Sequence, residues 1–280
     1  MPRNSIITLT TDFGLQDHFV GTMKGVMMSI NPDLAFVDIT HSVQPFDVFD
    51  AALSLAQAYS YFPSGTVHLV IVDPGVGTAR RPIVASTEKY HFVAPDNGVL
   101  SLIYEREERL SVRSISAEHY FLQPLSNTFH GRDIFSPIAA YLSKGVDPAR
   151  MGGEVTDFVR FAAPRPKSAG NGNLRGVVLK IDRFGNLITN ITARDAPGLF
   201  RTDPPPFKIT VGRREVTAIR SAYAEGAAGE VFAIIGSMGF LEIAANRGAA
   251  SKLVEATKGM DVMLLLEDAA GRRPESLPAD

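Results

Sequence analysis

Two aspartates directly follow predicted buried strands. Asp12 comes after Ser5–Thr10, and Asp73 comes after Thr66–Val72. The carboxyl ends of parallel strands meet at one edge of a sheet, which is where open α/β sheets bind ligands. Two carboxylates at this edge would suit a cation or the hydroxyls of a ribose. Asp12 could equally cap a helix or close an Asx turn, so both alternatives stay open for it.

Basic residues near this edge could act with Asp73. Arg80 lies seven residues after Asp73, close enough to fold back over the glycine-punctuated loop between them, and Arg81 is beside it. We expect one of the two arginines to be buried with a partner and the other to be solvated. His130 precedes a predicted helix, and histidine titrates near neutrality, so it could handle protons there. A lone histidine of this kind can equally be a structural residue.

The second half of the chain offers fewer chemical signals. The segment 181–190 closes a strand with Asp182, Phe184, Gly185 and Asn186, which is also the composition of a tight turn. Glu242 stands within an apolar strand. Simple alternation favours the solvent face for it, and the alternative is a buried carboxylate that awaits a ligand donor.

The spacing of apolar residues predicts an N-terminal α/β domain over 1–163 with a largely parallel central sheet. The predicted strands are Ser5–Thr10, Leu34–Ile39, Thr66–Val72, Ile83–Ser86, Tyr90–Ala94 and Leu110–Ile115, and the predicted helices are Asp17–Ile30, Val48–Phe62 and Arg132–Leu142.

A stretch rich in Pro, Gly, Ser and Asn predicts a linker over 164–173. After it, short β-like segments with few amphipathic helices predict a smaller all-β barrel over 174–267, followed by a flexible tail over 268–280. The predicted strands are Leu174–Ile181, Phe207–Val211, Glu215–Ala218, Val231–Ile235, Phe240–Ala244 and Asp261–Leu266.

Composition excludes several classes of function. The 280 residues include no cysteine, which removes disulfides, Fe–S clusters, thiolate zinc sites and cysteine nucleophiles. The formal net charge of -2 and the absence of a polybasic run argue against a nucleic-acid partner.

No apolar stretch approaches the ~20 residues of a membrane helix, and no signal peptide is evident. We therefore expect no membrane partner and a cytoplasmic location, with a disulfide-free periplasmic protein as the alternative. The histidines lack metal-ligand spacing, so no metal site is expected.

Six motifs in one order make the chain similar to a known family. They are Thr11-Asp12-Phe13-Gly14 with Asp17 and Met23-Lys24-Gly25, Val72-Asp73-Pro74-Gly75-Val76-Gly77-Thr78 with Arg80, Ala94-Pro95-Asp96-Asn97-Gly98, His130-Gly131-Arg132-Asp133, Asp182-Arg183-Phe184-Gly185-Asn186, and Ser237-Met238-Gly239-Phe240-Leu241-Glu242. Together they resemble the S-adenosyl-L-methionine (SAM) hydroxide adenosyltransferases, or SAM hydrolases, which are related to the SAM-dependent fluorinase and chlorinase.

The resemblance implies a fold, an assembly and a reaction. The fold is an α/β domain followed by a β-barrel domain, and the assembly is a homotrimer with active sites at subunit interfaces. The reaction is hydrolysis of SAM to adenosine and L-methionine by attack of water or hydroxide at the ribose C5′, with no cofactor. It also implies Asp73, Arg80 and His130 as catalytic residues. The positions implied to bind substrate are Asp12 (ribose), Asp17, Asn97, Asp182, Phe184, Asn186, Ser237, Glu242 and Asn246.

Two alternatives to the hydrolase remain. A chlorinase-like halogenase would use a halide as nucleophile, but a carboxylate at Asp73 would repel it. A non-catalytic sensor of adenosine or SAM would use the same pocket without needing Asp73, Arg80 and His130 together. Met238 stands where the fluorinase has an arginine, so the resemblance does not supply the group that holds the methionine carboxylate.

Overall fold

The computed structural model describes residues 5–201 and 204–266. The chain divides into two compact units, Met1–Ala163 (unit 1) and Pro164–Asp280 (unit 2). The predicted flexible tail over 268–280 lies outside the described residues. The predicted bounds of the domains, 1–163 and 174–267 with a linker over 164–173, stay predictions.

Unit 1 contains a six-stranded sheet in the order β2-β1-β3-β5-β4-β6. Its strands are β1 (Ser5–Thr11), β2 (Leu34–Thr40), β3 (Val67–Ile71), β4 (Pro82–Ser86), β5 (His91–Pro95) and β6 (Ser111–Ser114). β1 runs parallel to β2 and β3, and β3 runs parallel to β5, whereas β4 is antiparallel to both of its neighbours. The predicted parallel-rich sheet is therefore confirmed.

Helices and helical turns connect these strands. They are α1 (Phe19–Ile30), α2 (Val48–Ala58), a 3₁₀ turn (Tyr59–Tyr61), α3 (Ser101–Tyr104), a 3₁₀ turn (Glu118–Tyr120), a π-helical turn (Gly131–Phe135), α4 (Ser136–Ser143) and a 3₁₀ turn (Pro148–Arg150). Three predicted helix boundaries need correction. The first helix begins at Phe19 rather than Asp17, the second tightens into a 3₁₀ turn after Ala58, and the helix predicted from Arg132 opens as a π-helical turn.

The register of the sheet positions the candidate site. Thr11 at the end of β1 pairs with Ile71 at the end of β3, so Asp12 and Asp73 leave the sheet at the same edge, as the sequence predicts. Met23 from α1 and Phe135 from the π-helical turn are fully buried in the core beneath this edge. The loops that carry the aspartates therefore start from closely packed, fixed positions.

Unit 2 contains a nine-stranded, mainly antiparallel sheet. Its strands are β7 (Lys167–Ser168), β8 (Leu174–Ile181), β9 (Leu187–Thr192), β10 (Phe207–Val211), β11 (Arg214–Val216), β12 (Ile219–Arg220), β13 (Val231–Ile235), β14 (Phe240–Ala245) and β15 (Asp261–Leu266), with 3₁₀ turns at Pro197–Phe200 and Tyr223–Glu225 and a short helix α5 (Ala250–Leu253). The order is β11-β10-β15-β8-β9-β14-β13-β12, with β7 paired to β8. The sheet curls, and its closure into a barrel stays a prediction.

Two features of unit 2 were not anticipated. The sequence pattern predicts that the residues after Asn186 belong to a turn. In the structure, Leu187–Thr192 instead forms the central strand β9. Within the predicted linker, Lys167–Ser168 pairs with β8, and the Asn173 side chain accepts a hydrogen bond from the Leu266 amide (2.8 Å). At least part of the polar segment is therefore folded onto the sheet.

Among the described residues, no helix combines the length and the apolar character needed to cross a membrane. A cytoplasmic location and the absence of membrane and nucleic-acid partners stay predictions.

Candidate active site

Close packing of two loops brings the candidate catalytic residues of unit 1 together. The turn after β3 carries Asp73, and Gly77 within it has a φ of +78°. A Cβ atom at Gly77 would lie 2.3 Å from the carbonyl oxygen of Asn127, so only glycine permits this approach. Asn127 begins the segment that leads to His130, and the glycine therefore joins the two catalytic loops.

Arg80 binds Asp73 through two hydrogen bonds. Its Nε donates to Oδ1 at 2.9 Å, and its Nη2 donates to Oδ2. The side chains are only 9% and 6% exposed, respectively. This is the bidentate geometry in which an arginine holds a carboxylate most firmly, and it keeps Asp73 in one orientation. The ring of Phe135 lies 5.0 Å from the Arg80 guanidinium carbon and supports it from behind.

His130 completes this group. Its Nδ1 lies 3.0 Å from Arg80 Nη2, and its side chain is buried immediately before the π-helical turn. Such turns occur often at functional sites, and the Ser136 hydroxyl stabilises this one by donating to the Gly131 carbonyl (2.7 Å). Burial and the Arg80 charge lower the pKa of His130, and the negative charges of Asp73 and Asp133 oppose this shift only in part. His130 is therefore neutral at neutral pH.

A pocket of about 300 Å³ opens in front of this group. It is lined by Asp12, Phe13, Phe19, Pro45, Phe46, Ile71, Asp73, Val76, Thr128, Phe129, His130 and Gly131. Most of these residues are apolar or aromatic, and the polar side chains among them are Asp12, Asp73, Thr128 and His130. This composition is typical of a small-molecule site.

Asp12 does not cap a helix. Its Oδ2 accepts a hydrogen bond from the Phe46 amide at 2.9 Å, and α1 begins after His18 with no side-chain cap. Phe46 is 73% exposed at a φ of +66°, a conformation that costs energy for a residue with a Cβ. The Asp12 carboxylate therefore holds a strained aromatic residue at the pocket. Phe46 is not among the predicted site residues, because nothing in the spacing of the sequence indicates a positive φ at this position.

The adjacent arginines of unit 1 both bind carboxylates. Arg81 donates to the buried Asp96 side chain (2.7 and 3.0 Å) and to Asp157 (2.8 Å). Arg80 is the more buried of the two, and the Arg81 side chain is 34% exposed, so Arg81 is partly solvated and also has partners. Arg81 joins the start of β4 to two other segments of unit 1.

Unit 2 has a separate pocket of about 540 Å³. It is lined by Asp182, Phe184, Asn186, Tyr223, Ala245, Arg247 and Gly248. Asp182 accepts hydrogen bonds from the amides of Phe184 (2.9 Å) and Asn186 (2.8 Å) and from the Asn186 side chain (3.0 Å). The predicted tight turn is thus present, and it presents the Phe184 ring to solvent at 78% exposure.

Glu242 contradicts the expectation of a solvent-facing carboxylate. Its side chain is buried, with 9% of the residue exposed. A Cβ on Gly236 would overlap Glu242 Oε1 at 1.8 Å, so the glycine makes room for the carboxylate. The one hydrogen bond to this carboxylate among the described residues comes from the Tyr223 hydroxyl at a long 3.4 Å. Burial raises the pKa of Glu242, and the neighbouring Asp182 raises it further.

Comparison with known proteins identifies the family. Residues 7–152 match the model of the SAM hydroxide adenosyltransferase N-terminal domain, and residues 176–263 match that of the C-terminal domain. The chain belongs to the SAM hydroxide adenosyltransferase family.

The relatives of this chain include proteins named as hydrolases and as a fluorinase. A Thermus thermophilus protein named (R)-S-adenosyl-L-methionine hydrolase is 38% identical over 263 residues, which cover 91% of this chain and 97% of the relative. A fluorinase from an Actinoplanes species is 31% identical and covers 70% of this chain and 75% of its own length. The crystal structure of a conserved Thermotoga maritima protein is 39% identical with a TM-score of 0.86, over 92% of this chain and 99% of that one.

The structure brings some of the predicted site residues together in each of the two pockets, but not all of them. Asp12, Asp73 and His130 line the unit 1 pocket, with Arg80 behind them, and Asp182, Phe184 and Asn186 line the unit 2 pocket beside Glu242.

Five predicted binding residues do not line either pocket, and one of them, Glu242, contacts the pocket residue Tyr223. Asp17 and Ser237 are exposed. The Asn97 side chain donates to the Val72 carbonyl (2.9 Å) next to Asp73, and the Asn246 side chain donates to the Gly226 carbonyl (2.7 Å). Their contacts with substrate stay predictions.

Two polar residues that line the unit 2 pocket, Tyr223 and Arg247, are not among the predicted site residues. Tyr223 lies in a 3₁₀ turn, and Arg247 has a φ of +53° after β14. Neither belongs to a recognisable motif, and only the folded turns bring them to the pocket. Arg247 gives the pocket a positive charge that Met238 cannot.

Proposed function

We propose that this chain hydrolyses SAM to adenosine and L-methionine. The observation that carries the proposal is the contact of Asp73, Arg80 and His130 at the end of an apolar pocket. Because relatives 38% and 35% identical are named for the (R) form of SAM, we propose the (R)-sulfonium epimer as the substrate.

In the proposed reaction, water attacks C5′ of the ribose. A C5′–O bond forms, the C5′–S bond breaks, and the bonding pair stays on sulfur, which leaves as the neutral thioether of methionine. One proton of the water is released. The Asp73 carboxylate is the acceptor in the unit 1 pocket, since each of its oxygens keeps a lone pair beyond the hydrogen bond from Arg80.

The aromatic walls of the unit 1 pocket favour this step. Phe129 packs edge to face against Phe13 and Phe19, whose own rings are tilted by 51°, and the ring centroids are 5.2 to 6.3 Å apart. They exclude water other than the nucleophile. As the sulfonium charge is lost in the transition state, an apolar surrounding favours the transition state over the charged reactant.

We propose that no cofactor takes part, because a sulfonium needs neither a general acid nor a Lewis acid to leave. Adenosine release should therefore continue at an unchanged rate after prolonged dialysis against EDTA. A loss of activity that added Mg²⁺ or Zn²⁺ restores would refute this part of the proposal.

The unit 2 pocket is suited to binding rather than to proton transfer. The exposed Phe184 ring and the half-exposed Tyr223 offer apolar faces on which an adenine can stack. Asp182 has its hydrogen bonds filled by the turn, whereas the Glu242 carboxylate has one long contact. We assign the α-ammonium of the methionine part to Glu242, because a buried carboxylate beside a second one needs a full positive charge.

We also propose a homotrimer in which the unit 1 pocket of one subunit and the unit 2 pocket of a neighbour bind one substrate molecule. The family resemblance and the incomplete set of ligand groups in each pocket support this arrangement. Sedimentation equilibrium should give three times the mass of the chain. A monomer that is fully active at the same concentration would refute it.

The test of the reaction is incubation with each SAM epimer in ¹⁸O-water with chloride present. We expect adenosine labelled at the 5′ oxygen, formed faster from the (R) epimer. A halogenated deoxyadenosine without labelled adenosine would show a halogenase, as in the more distant fluorinases. Intact SAM after a day of incubation, with binding measured by calorimetry, would show a sensor.

A further inference from the structure

The contact between Arg80 and His130 fixes the position of a proton. Arg80 Nη2 lies 3.0 Å from His130 Nδ1. A guanidinium is always protonated and can only donate hydrogen bonds, so Nδ1 must be the acceptor. A neutral imidazole with a bare Nδ1 carries its single proton on Nε2. Asp73 holds Arg80 in place for this contact through both carboxylate oxygens.

A charged imidazolium does not fit the same contact. With protons on both ring nitrogens, His130 Nδ1 would direct an N–H at the Arg80 guanidinium across 3.0 Å. The charged groups that act on His130 are the Arg80 cation and the Asp73 and Asp133 carboxylates. Arg80 Nη2 contacts both Asp73 Oδ2 and His130 Nδ1, and among the described residues no hydrogen bond joins Nδ1 to the Asp73 carboxylate. His130 thus stays neutral in one tautomer.

We propose that His130 acts as a fixed Nε2–H donor to the attacking water and that it does not take the proton of that water. The proposal rests on the proposed hydrolase function. His130 lines the pocket, and because Nδ1 is directed at Arg80, Nε2 is the nitrogen that remains for a ligand. Water accepts this hydrogen bond with one lone pair and attacks C5′ with the other. Its proton passes to Asp73, and the His130 ring begins and ends the step in the same state.

This pairing distinguishes water from a halide. Water can accept from the His130 N–H and donate to the Asp73 carboxylate at the same time. A halide can only accept, so it would place its negative charge against Asp73 with nothing to donate. The pocket therefore offers one hydrogen-bond donor and one acceptor. It selects a nucleophile that can both accept and donate a hydrogen bond.

The tautomer can be observed directly. In histidine-labelled protein, long-range ¹H–¹⁵N NMR spectra separate a protonated ring nitrogen from a bare one, and the spectrum of His130→Gln assigns the signals. We expect Nε2 to be protonated and Nδ1 bare from pH 6 to pH 8. A protonated Nδ1, or a doubly protonated ring at pH 7, would overturn the proposal. This measurement uses no substrate, so it stands even if the wild type does not hydrolyse SAM.

A pair of amide variants tests the role in the reaction. A glutamine amide reaches the place of the histidine Nε2 and can still donate there, whereas an asparagine amide reaches only the place of Nδ1. We expect His130→Gln to keep single-turnover adenosine formation within about 100-fold of the wild type and His130→Asn to lose about 10³-fold. Calorimetry should show that both variants still bind SAM.

Equal loss in the two variants, with SAM binding retained, would overturn the donor role, because a histidine that acts as a base cannot be replaced by either amide. If the wild type releases no adenosine at all, the proposed function fails, and the NMR experiment alone decides the tautomer.

Discussion

The pockets of the two units differ in how their charges are satisfied. In unit 1, Asp73 and Arg80 neutralise each other, and the pair fixes the ring of His130. In unit 2, Glu242 is buried beside Asp182 with one long hydrogen bond. These contacts hold the three side chains in place before substrate arrives, which is what chemistry requires, although the buried Arg80 Nη1 has no hydrogen-bond partner among the described residues. A carboxylate that can accept further hydrogen bonds can obtain a partner from the ligand, which is what binding requires.

The largest effect expected from this difference is on turnover at Asp73. Asp73→Asn keeps the size of the side chain but removes the charge and the proton acceptor. We expect kcat for adenosine release to fall by about 10³-fold, with SAM affinity within a few-fold of the wild type. Asp182→Asn, at the turn aspartate of unit 2, is the matched control and should change KM rather than kcat. Turnover that survives Asp73→Asn would remove this carboxylate from the chemistry.

The units also differ in what titrates near neutral pH. All six histidines lie in unit 1, at positions 18, 41, 68, 91, 119 and 130. His68 is fully buried beside Phe92 and hydrogen-bonded to Thr8 (2.7 Å), and burial lowers its pKa to about 3. The unfolded chain takes up this proton near pH 6.5, while the folded chain does not. Stability is therefore present above pH 6.5 and is lost as the pH falls below it.

We expect unit 1 to lose up to about 1.4 kcal/mol of stability per pH unit between pH 6.5 and pH 5 through His68, while unit 2, which contains no histidine, does not share this loss. Hydrogen exchange in urea at pH 7.0 and pH 5.5, resolved by peptide, reads the two units in one protein. His68→Phe, which extends the aromatic cluster around Tyr59 and Phe92, should flatten the dependence in unit 1. The same pH slope in both units would contradict the argument.

Much of unit 1 was predictable because local pattern and fold agree there. Apolar strands ending in Asp12 and Asp73 require a parallel sheet with both residues at one edge, and the register confirms it. Phe46 was not predictable, because its exposure and positive φ follow from the hydrogen bond to Asp12 across the fold. Local propensity contains no information about such a contact.

Unit 2 was harder for two physical reasons. Strand β9 begins directly after Gly185 and Asn186, which are typical turn residues. The sequence pattern therefore favours a turn there, although most residues of the strand are apolar or β-branched. The alternation rule failed at Glu242 because it assumes that one face of a strand meets solvent. Here the second face is covered by the turn that carries Tyr223, and Gly236 leaves space for the carboxylate.

A smaller effect, on affinity, is expected at Glu242. Glu242→Gln keeps the shape and removes the charge, so it should raise KM for SAM about tenfold and leave kcat nearly unchanged. The matched ligand is the SAM analogue that lacks the α-amino group, which should bind both proteins equally well. Adenosine binding, measured by calorimetry, should also be unaffected. If the variant weakens the analogue and adenosine as much as SAM, Glu242 does not bind the ammonium.

The smallest effect is expected at Phe184, whose ring is held outward by the Asp182 turn. If this ring stacks on adenine, Phe184→Ala should weaken both SAM and adenosine by about 2- to 10-fold, the range of a single aromatic contact. Phe184→Tyr should restore the affinity, since it keeps a flat ring. Glu242→Gln weakens only ligands with the α-ammonium group of methionine, so calorimetry with adenosine separates the two roles within one pocket. Alanine has no ring on which adenine can stack. An adenosine affinity that is unchanged in Phe184→Ala would therefore show that the base binds elsewhere.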